Sequence, residues 1–220
     1  MTLSNLFECV LDLLFPPRCP FCRAFLRDYE KNLCHKCAGS LPRVPESADR
    51  QDFRHIERCI SPLYYTGKVR ESLLRYKFGG LRVYAKTYAA LMAERLEKRE
   101  CSFDVITWVP LSAKRLRTRG YDQARLLARE IAKRCGVPHE QLLIKTTDTP
   151  AQSGTHSRQE RKLNVKGVYR PDTLPMIQGK NILLVDDIVT TGSTLDECAR
   201  VLKASGAKSV SAVTVARGAN

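Results

Sequence analysis

The chain has 220 residues, 43% of them hydrophobic and 27% charged, which is ordinary for a soluble globular protein with one good-sized core and a small appendage. Lysine and arginine outnumber aspartate and glutamate, 37 against 23, and a formal net charge of +14 favours polyanionic partners: nucleic acid, phosphorylated metabolites or an anionic membrane face. Nine cysteines do not make this a secreted disulfide scaffold, because they are not spread through a short chain behind a signal peptide.

The first predicted element runs from Leu3 to Phe15, an amphipathic helix with Leu3, Leu6, Phe7, Val10, Leu11 and Leu14 on one face. It carries Glu8 and Asp12, lacks a basic start and a small-residue cleavage site, and is too short to span a bilayer. A reducing cytoplasm is therefore the expected compartment. Pro16 and Pro17 stop the helix, and two C-x-x-C knuckles follow, Cys19 with Cys22 and Cys34 with Cys37, separated by 11 residues. Four thiolates so placed can collect a tetrahedral zinc, whose soft-ligand preference they match. Two disulfides or a redox pair are the competing readings. Four protein ligands leave no open position, so the zinc is expected to be structural.

Residues 38–55 are polar and contain prolines, which reads as a linker. It divides an N-terminal unit, 1–45, from a second unit, 56–220. A strand is expected over Cys59 to Tyr65, a helix over Val69 to Phe78 ended by Gly79 and Gly80, and a second helix from Val83 to Glu97 with a charged outer face. From Asp104 strands and helices alternate: Val105 to Val109, a helix from Tyr121 to Arg134, short strands at Leu142 to Ile144 and Gly167 to Arg170, and a last strand from Val210 to Val215. That rhythm predicts an α/β fold with a mainly parallel sheet, helices on both faces and ligands at the strand C-terminal ends.

Two loops stand out. Pro110 to Gly120 follows a strand and carries Lys114, Arg115, Arg117 and Arg119, four cations in six residues that repel one another unless an anion is bound or water screens them. Pyrophosphate would suit them, as would a nucleic-acid backbone. Thr149 to Asn164 has little apolar content, and a loop of that length in a compact domain is commonly functional or disordered.

The most specific stretch is KNILLVDDIVTTGSTL, Lys180 to Leu195. Ile182, Leu183, Leu184 and Val185 form an apolar run suited to a buried parallel strand, which is expected to end at Asp186 and Asp187. Thr190, Thr191, Gly192, Ser193 and Thr194 make a hydroxyl-rich loop, and Leu195, Cys198, Ala199, Val201 and Leu202 continue at helical spacing. A loop entering a helix N-terminus gathers free N–H groups and the positive end of the helix dipole, so it holds a phosphate. Carboxylates beside it suit neutral hydroxyls or a hydrated magnesium ion. Ribose 5-phosphate offers both partners.

This string resembles the phosphoribosyl pyrophosphate (PRPP) signature of type I phosphoribosyltransferases. The resemblance implies that Asp186 and Asp187 contact the ribose hydroxyls. It also implies that the stretch Val185, Asp186, Asp187, Ile188, Val189, Thr190, Thr191, Gly192, Ser193 and Thr194 binds PRPP with magnesium, its hydroxyl loop wrapping the 5-phosphate. By the same resemblance, Lys114, Arg115 and Arg119 bind the pyrophosphate, and Gln152, Arg158, Arg161 and Asn164 sit on a flexible loop that closes over the site. With the cysteine knuckles, the Arg119-Gly-Tyr-Asp-Gln123 run and the VDDIVTTGST string together, nearly the whole chain resembles the ComF family. Asp122 stands where asparagine is expected in many relatives. The resemblance implies a PRPP-binding protein that acts with other competence proteins on incoming single-stranded DNA in the cytoplasm. The alternative is a transferase that releases pyrophosphate from PRPP onto a small-molecule acceptor, with no direct DNA role. No base that would activate an acceptor is identifiable.

Overall fold

A computed structural model describes residues 16–27, 30, 32–49, 52–147 and 167–219. The helix expected over Leu3 to Phe15, and the loop carrying Gln152, Arg158, Arg161 and Asn164, lie outside the described residues. In chain order the elements are α1 (His35–Ser40), β1 (Cys59–Ile60), β2 (Leu63–Tyr64), α2 (Gly67–Phe78), α3 (Tyr84–Glu97), β3 (Val105–Trp108), α4 (Ala113–Arg119), α5 (Gln123–Cys135), β4 (Leu143–Lys145), β5 (Tyr169–Pro171), β6 (Asn181–Val189), α6 (Ser193–Ala204) and β7 (Ser209–Arg217).

The main sheet is parallel throughout. Its centre is β6 beside β7; β3 lies on the free side of β6, and β1 and β2 follow one another along the free edge of β7. The expected single strand over 59–65 is split at Ser61 and Pro62, since proline has no N–H to give a ladder. The Ser61 and Thr214 hydroxyls, 2.7 Å apart, join the gap to β7.

Side chains along β6 alternate between two cores. Leu183 and Val185 point into one, with Leu73 and Tyr76 of α2, Tyr88 and Met92 of α3 and Leu127 and Ile131 of α5. Ile182 and Leu184 enter the other, with Leu195, Cys198 and Leu202 of α6 and Leu143 and Tyr169. Both faces are covered, so the strand reads as a continuous apolar run rather than an alternation.

Other expectations are corrected too. The loop from Pro110 to Gly120 contains α4, because Ser112 caps it by accepting from the Arg115 N–H at 3.4 Å and lysine and arginine are good helix formers. Gly120, at φ 72°, closes it in the left-handed conformation. Next, β4 and β5 do not join the main sheet; they pair with each other, antiparallel, Ile144 opposite Arg170. Finally, β6 does not end at the carboxylates but continues to Val189, still paired with β7 through Asp186 opposite Thr214 and Ile188 opposite Ala216.

The polar stretch read as a linker is packed. The Val44 N–H donates to the Pro62 carbonyl at 2.9 Å and the Tyr64 N–H to the Pro42 carbonyl at 2.8 Å. Asp49 accepts from Arg95 at 3.1 Å and Arg99 at 2.7 Å, and its side chain is 4% exposed against 10% for Arg95. Losing Asp49 would leave the buried Arg95 with only Glu46, at 3.5 Å, as an acidic partner, so Asp49→Ala is expected to lower stability by about 1–3 kcal/mol. Urea unfolding checks this; an unmoved midpoint would mean that the segment is only a tether. No helix among the described residues is long and apolar enough to cross a membrane.

Candidate active site

The parallel arrangement sets the C-terminal end of β3 beside β6 just before the acid pair, with Trp108 opposite Val185, and β6 runs on past it to Val189. Beyond them lies a cleft of about 210 Å³. Its floor is Asp186 to Val189, one wall is Thr190 to Leu195, and the opposite wall is Val109 to Leu111 with Arg115, Arg119 and Asp122.

Of Lys114, Arg115 and Arg119, expected at the pyrophosphate, the two arginines line the cleft, while Lys114 is exposed outside it, as is the fourth cation, Arg117. Arg119 is oriented: its Nη1 donates to Gln123 Oε1 at 3.0 Å, and the guanidinium lies 5.1 Å from the Phe78 ring centroid.

The alternation of a strand places the two carboxylates on opposite faces. Asp187 faces the α2 and α5 side, where its Oδ2 is 3.0 Å from Lys77 Nζ. Asp186 faces Tyr169 and Cys198, and its Oδ1 accepts from the Asp187 N–H at 2.8 Å. Burial first, then the neighbouring Asp187 carboxylate, push Asp186 up to about 8, with the Lys77 ammonium pulling the other way. Asp122 caps α5 by accepting from the Arg125 N–H at 3.1 Å and also takes the Leu111 N–H at 3.2 Å. Burial raises its carboxyl above the ordinary range against those two bonds.

The hydroxyl loop turns on Gly192, whose φ of 80° belongs to the left-handed region. A Cβ there would collide with the Phe53 ring, so only glycine allows the ring to lie on the loop. Thr191 Oγ1 and Ser193 Oγ are 3.1 Å apart at the start of α6, whose 12 residues aim a dipole into the cleft. Asp196, in the first turn, accepts the Arg54 N–H at 3.1 Å and the His55 N–H at 2.9 Å, which ties the Phe53 segment down. Such a wall can bind a phosphate, such a floor a polyol, and the arginines opposite a second anion.

Sequence reasoning missed Lys77, Lys145, Tyr169 and Gln123 as lining residues. Lys77 sits on a helix whose pattern showed only an apolar face, and nothing local marks a partner as distant as Asp187. Lys145 and Tyr169 come from the antiparallel pair β4 and β5, with Lys145 Nζ 5.6 Å from the Tyr169 ring centroid.

A second constellation lies at the N-terminal end. Cys19, Cys22, Cys34 and Cys37 bring their sulfur atoms within 4.8 Å of one another, and none is in a disulfide. Tetrahedral Zn–S bonds of about 2.3 Å put sulfur atoms roughly 3.8 Å apart, so the donor set fits structural zinc. Cys22 and Cys34 sulfurs are 3.4 Å apart. Among the described residues these four cysteines form the single group of His, Cys, Asp and Glu side chains arranged to hold an ion.

Residues 119–220 match the family model of the phosphoribosyl transferase domain, and residues 10–48 match that of the double zinc ribbon domain. Similar curated proteins include the DNA utilization protein YhgH of Salmonella typhimurium, 30% identical over 87% of this chain and 86% of that one. The protein of the same name in Escherichia coli O157:H7 is 34% identical over the same shares. The competence protein ComFC of Streptococcus pneumoniae is 33% identical over 70% of this chain and 65% of that one.

Proposed function

The chain belongs to the ComF family of competence proteins, and on that premise we propose that its cleft binds PRPP together with magnesium. One juxtaposition carries the reading: an acid pair, a hydroxyl loop on a helix N-terminus and two arginines converge on one cleft at the C-terminal ends of adjacent parallel strands. Asp186 and Asp187 take the ribose hydroxyls, Thr190 to Thr194 take the 5-phosphate, and Arg115 and Arg119 take the pyrophosphate. The described carboxylates form no cage of their own for a divalent ion. Magnesium therefore comes with the phosphates, keeping most of its waters.

As a transferase the protein would lower the barrier by charge, the arginines stabilising pyrophosphate as it leaves ribose C1. Among the described residues the cleft groups able to take a proton are the carboxylates of Asp122, Asp186 and Asp187, and the last two are assigned to the ribose. The principal reading is PRPP binding in the handling of single-stranded DNA: the relatives are named for DNA utilization and for competence, and a charge of +14 suits a nucleic-acid backbone. Transfer to a small-molecule acceptor is the second reading, supported by the intact DDIVTTGST string.

Calorimetric titration with PRPP and magnesium tests the ligand. Pyrophosphate release with candidate bases, nucleosides and DNA then separates the two readings. Micromolar PRPP affinity with DNA binding that weakens steeply with salt is the expected outcome. Absent PRPP binding would remove the reading of the cleft, and acceptor-dependent pyrophosphate release with no DNA binding would favour the second.

A further inference from the structure

Helix α2 touches both constellations. Ser72 Oγ, buried, donates to the Pro20 carbonyl at 2.6 Å and lies 2.6 Å from the Tyr88 hydroxyl. One turn further on, Arg75 Nη2 donates to the Pro20 carbonyl at 3.0 Å and the Phe21 carbonyl at 3.3 Å. Pro20 and Phe21 are the two residues inside the first C-x-x-C knuckle. Lys77 then reaches Asp187. From Ser72 to Lys77 the helix advances only about 7.5 Å, too short a rod to absorb a shift at one end without passing it to the other.

Aromatic packing follows the same line. Phe21 of the knuckle meets Tyr88 edge-on at 5.9 Å, Tyr88 meets Tyr76 at 5.3 Å, and Tyr76 meets Tyr121 at 6.0 Å. The Tyr76 hydroxyl donates to the Gln123 carbonyl at 2.9 Å, at the cleft wall. The knuckle thus shares one closely packed core with the cleft, and such cores transmit displacement.

We propose that the four-cysteine cluster, when loaded with zinc, is the platform that holds Lys77 against Asp187, so that metal occupancy at the N-terminal end sets the affinity of the cleft for PRPP. Lys77 is a positioning residue here: its ammonium, 3.0 Å from Asp187 Oδ2, fixes the orientation of that side chain in the cleft floor. The carbonyls of Pro20 and Phe21 are aimed by the turn between Cys19 and Cys22. Sulfur–metal bonds fix that turn, and four thiols without a metal do not. The inference rests on the PRPP reading of the cleft.

The test uses the full chain, zinc-loaded and zinc-stripped, with metal content measured and folding checked by circular dichroism. Stripping is expected to weaken PRPP binding about tenfold in the native chain but no more than about twofold in Lys77→Met, the non-additivity of coupled sites. Arg75→Met should weaken binding by a similar factor with zinc retained, and Lys77→Arg should recover part of the loss in Lys77→Met. Independently of PRPP, stripping should speed amide hydrogen exchange along α2 and at Asp187. Equal PRPP affinity with and without zinc, or multiplying effects of stripping and Lys77→Met, would overturn the coupling. If the loaded native chain binds no PRPP the cleft reading fails, and unchanged exchange along α2 would then overturn the coupling on its own.

Discussion

Replacing Asp186 and Asp187 together by alanine is expected to reduce PRPP affinity by at least about 100-fold. A hydrogen bond to a charged group is worth about 1.5–3 kcal/mol, and the pair offers at least two. The two positions should differ in their other effects. Asp186 is held in a costly state, crowded by Asp187 with its charge opposed by burial, so Asp186→Asn should leave the fold as stable or make it more so. Asp187→Asn strands the Lys77 ammonium, which is only 20% exposed, and should cost about 1–3 kcal/mol. Calorimetry and urea unfolding on the single and double variants check both effects. Affinity left within a few-fold of native in the double variant would remove the acid pair from the site.

The pH dependence follows from the same crowding. The Asp186 carboxyl is raised from its ordinary value of 3.8 to about 8, so between those limits the folded chain holds a proton that the unfolded chain has lost. Stability from this group is fully present below about pH 4 and declines as pH rises through about 8. Ligand binding runs the other way, because ribose hydroxyls donate more strongly to the carboxylate than to the neutral acid. PRPP affinity should climb as pH rises toward 8, by at most about tenfold per unit, and level off above it. Phosphate groups on the ligand titrate as well, and Asp186→Asn separates the contributions: its profile should lose the rise near 8. A native profile that is flat from pH 6.5 to 9, or one unchanged in Asp186→Asn, would rule the assignment out.

The features legible in the sequence were those written locally. The apolar run, the acid pair and the hydroxyl loop occupy one short stretch whose order dictates strand, floor and one wall of the cleft, and two C-x-x-C pairs dictate a four-sulfur cluster. Helices α2, α3 and α5 lie close to where periodicity places them. Features depending on distant pairing were not legible. Lys77 reads as a charge on a surface helix until β6 is laid beside it. The segment at Phe53 to His55 reads as linker, yet it packs on Gly192 and donates to Asp196. The antiparallel pairing of β4 with β5 was hidden because the two strands are far apart in the sequence, with the polar stretch 148–166 between them. Asp122 was noticed as an unexpected aspartate, but its two backbone donors, from Arg125 and Leu111, appear only in the fold.

The placing of β1 and β2 on the free edge of β7 bears on how the protein is made. Cys59 pairs with Ala212 and Tyr64 with Arg217, so the first two strands wait for the last to leave the ribosome before their hydrogen bonds can close. The strands and helices between them can collapse earlier, around β3 and β6. Contacts of such sequence separation slow folding and leave a strand edge unpaired in the meantime. The cysteine knuckles are therefore synthesised while the sheet beneath the helices they pack on still lacks its last strand.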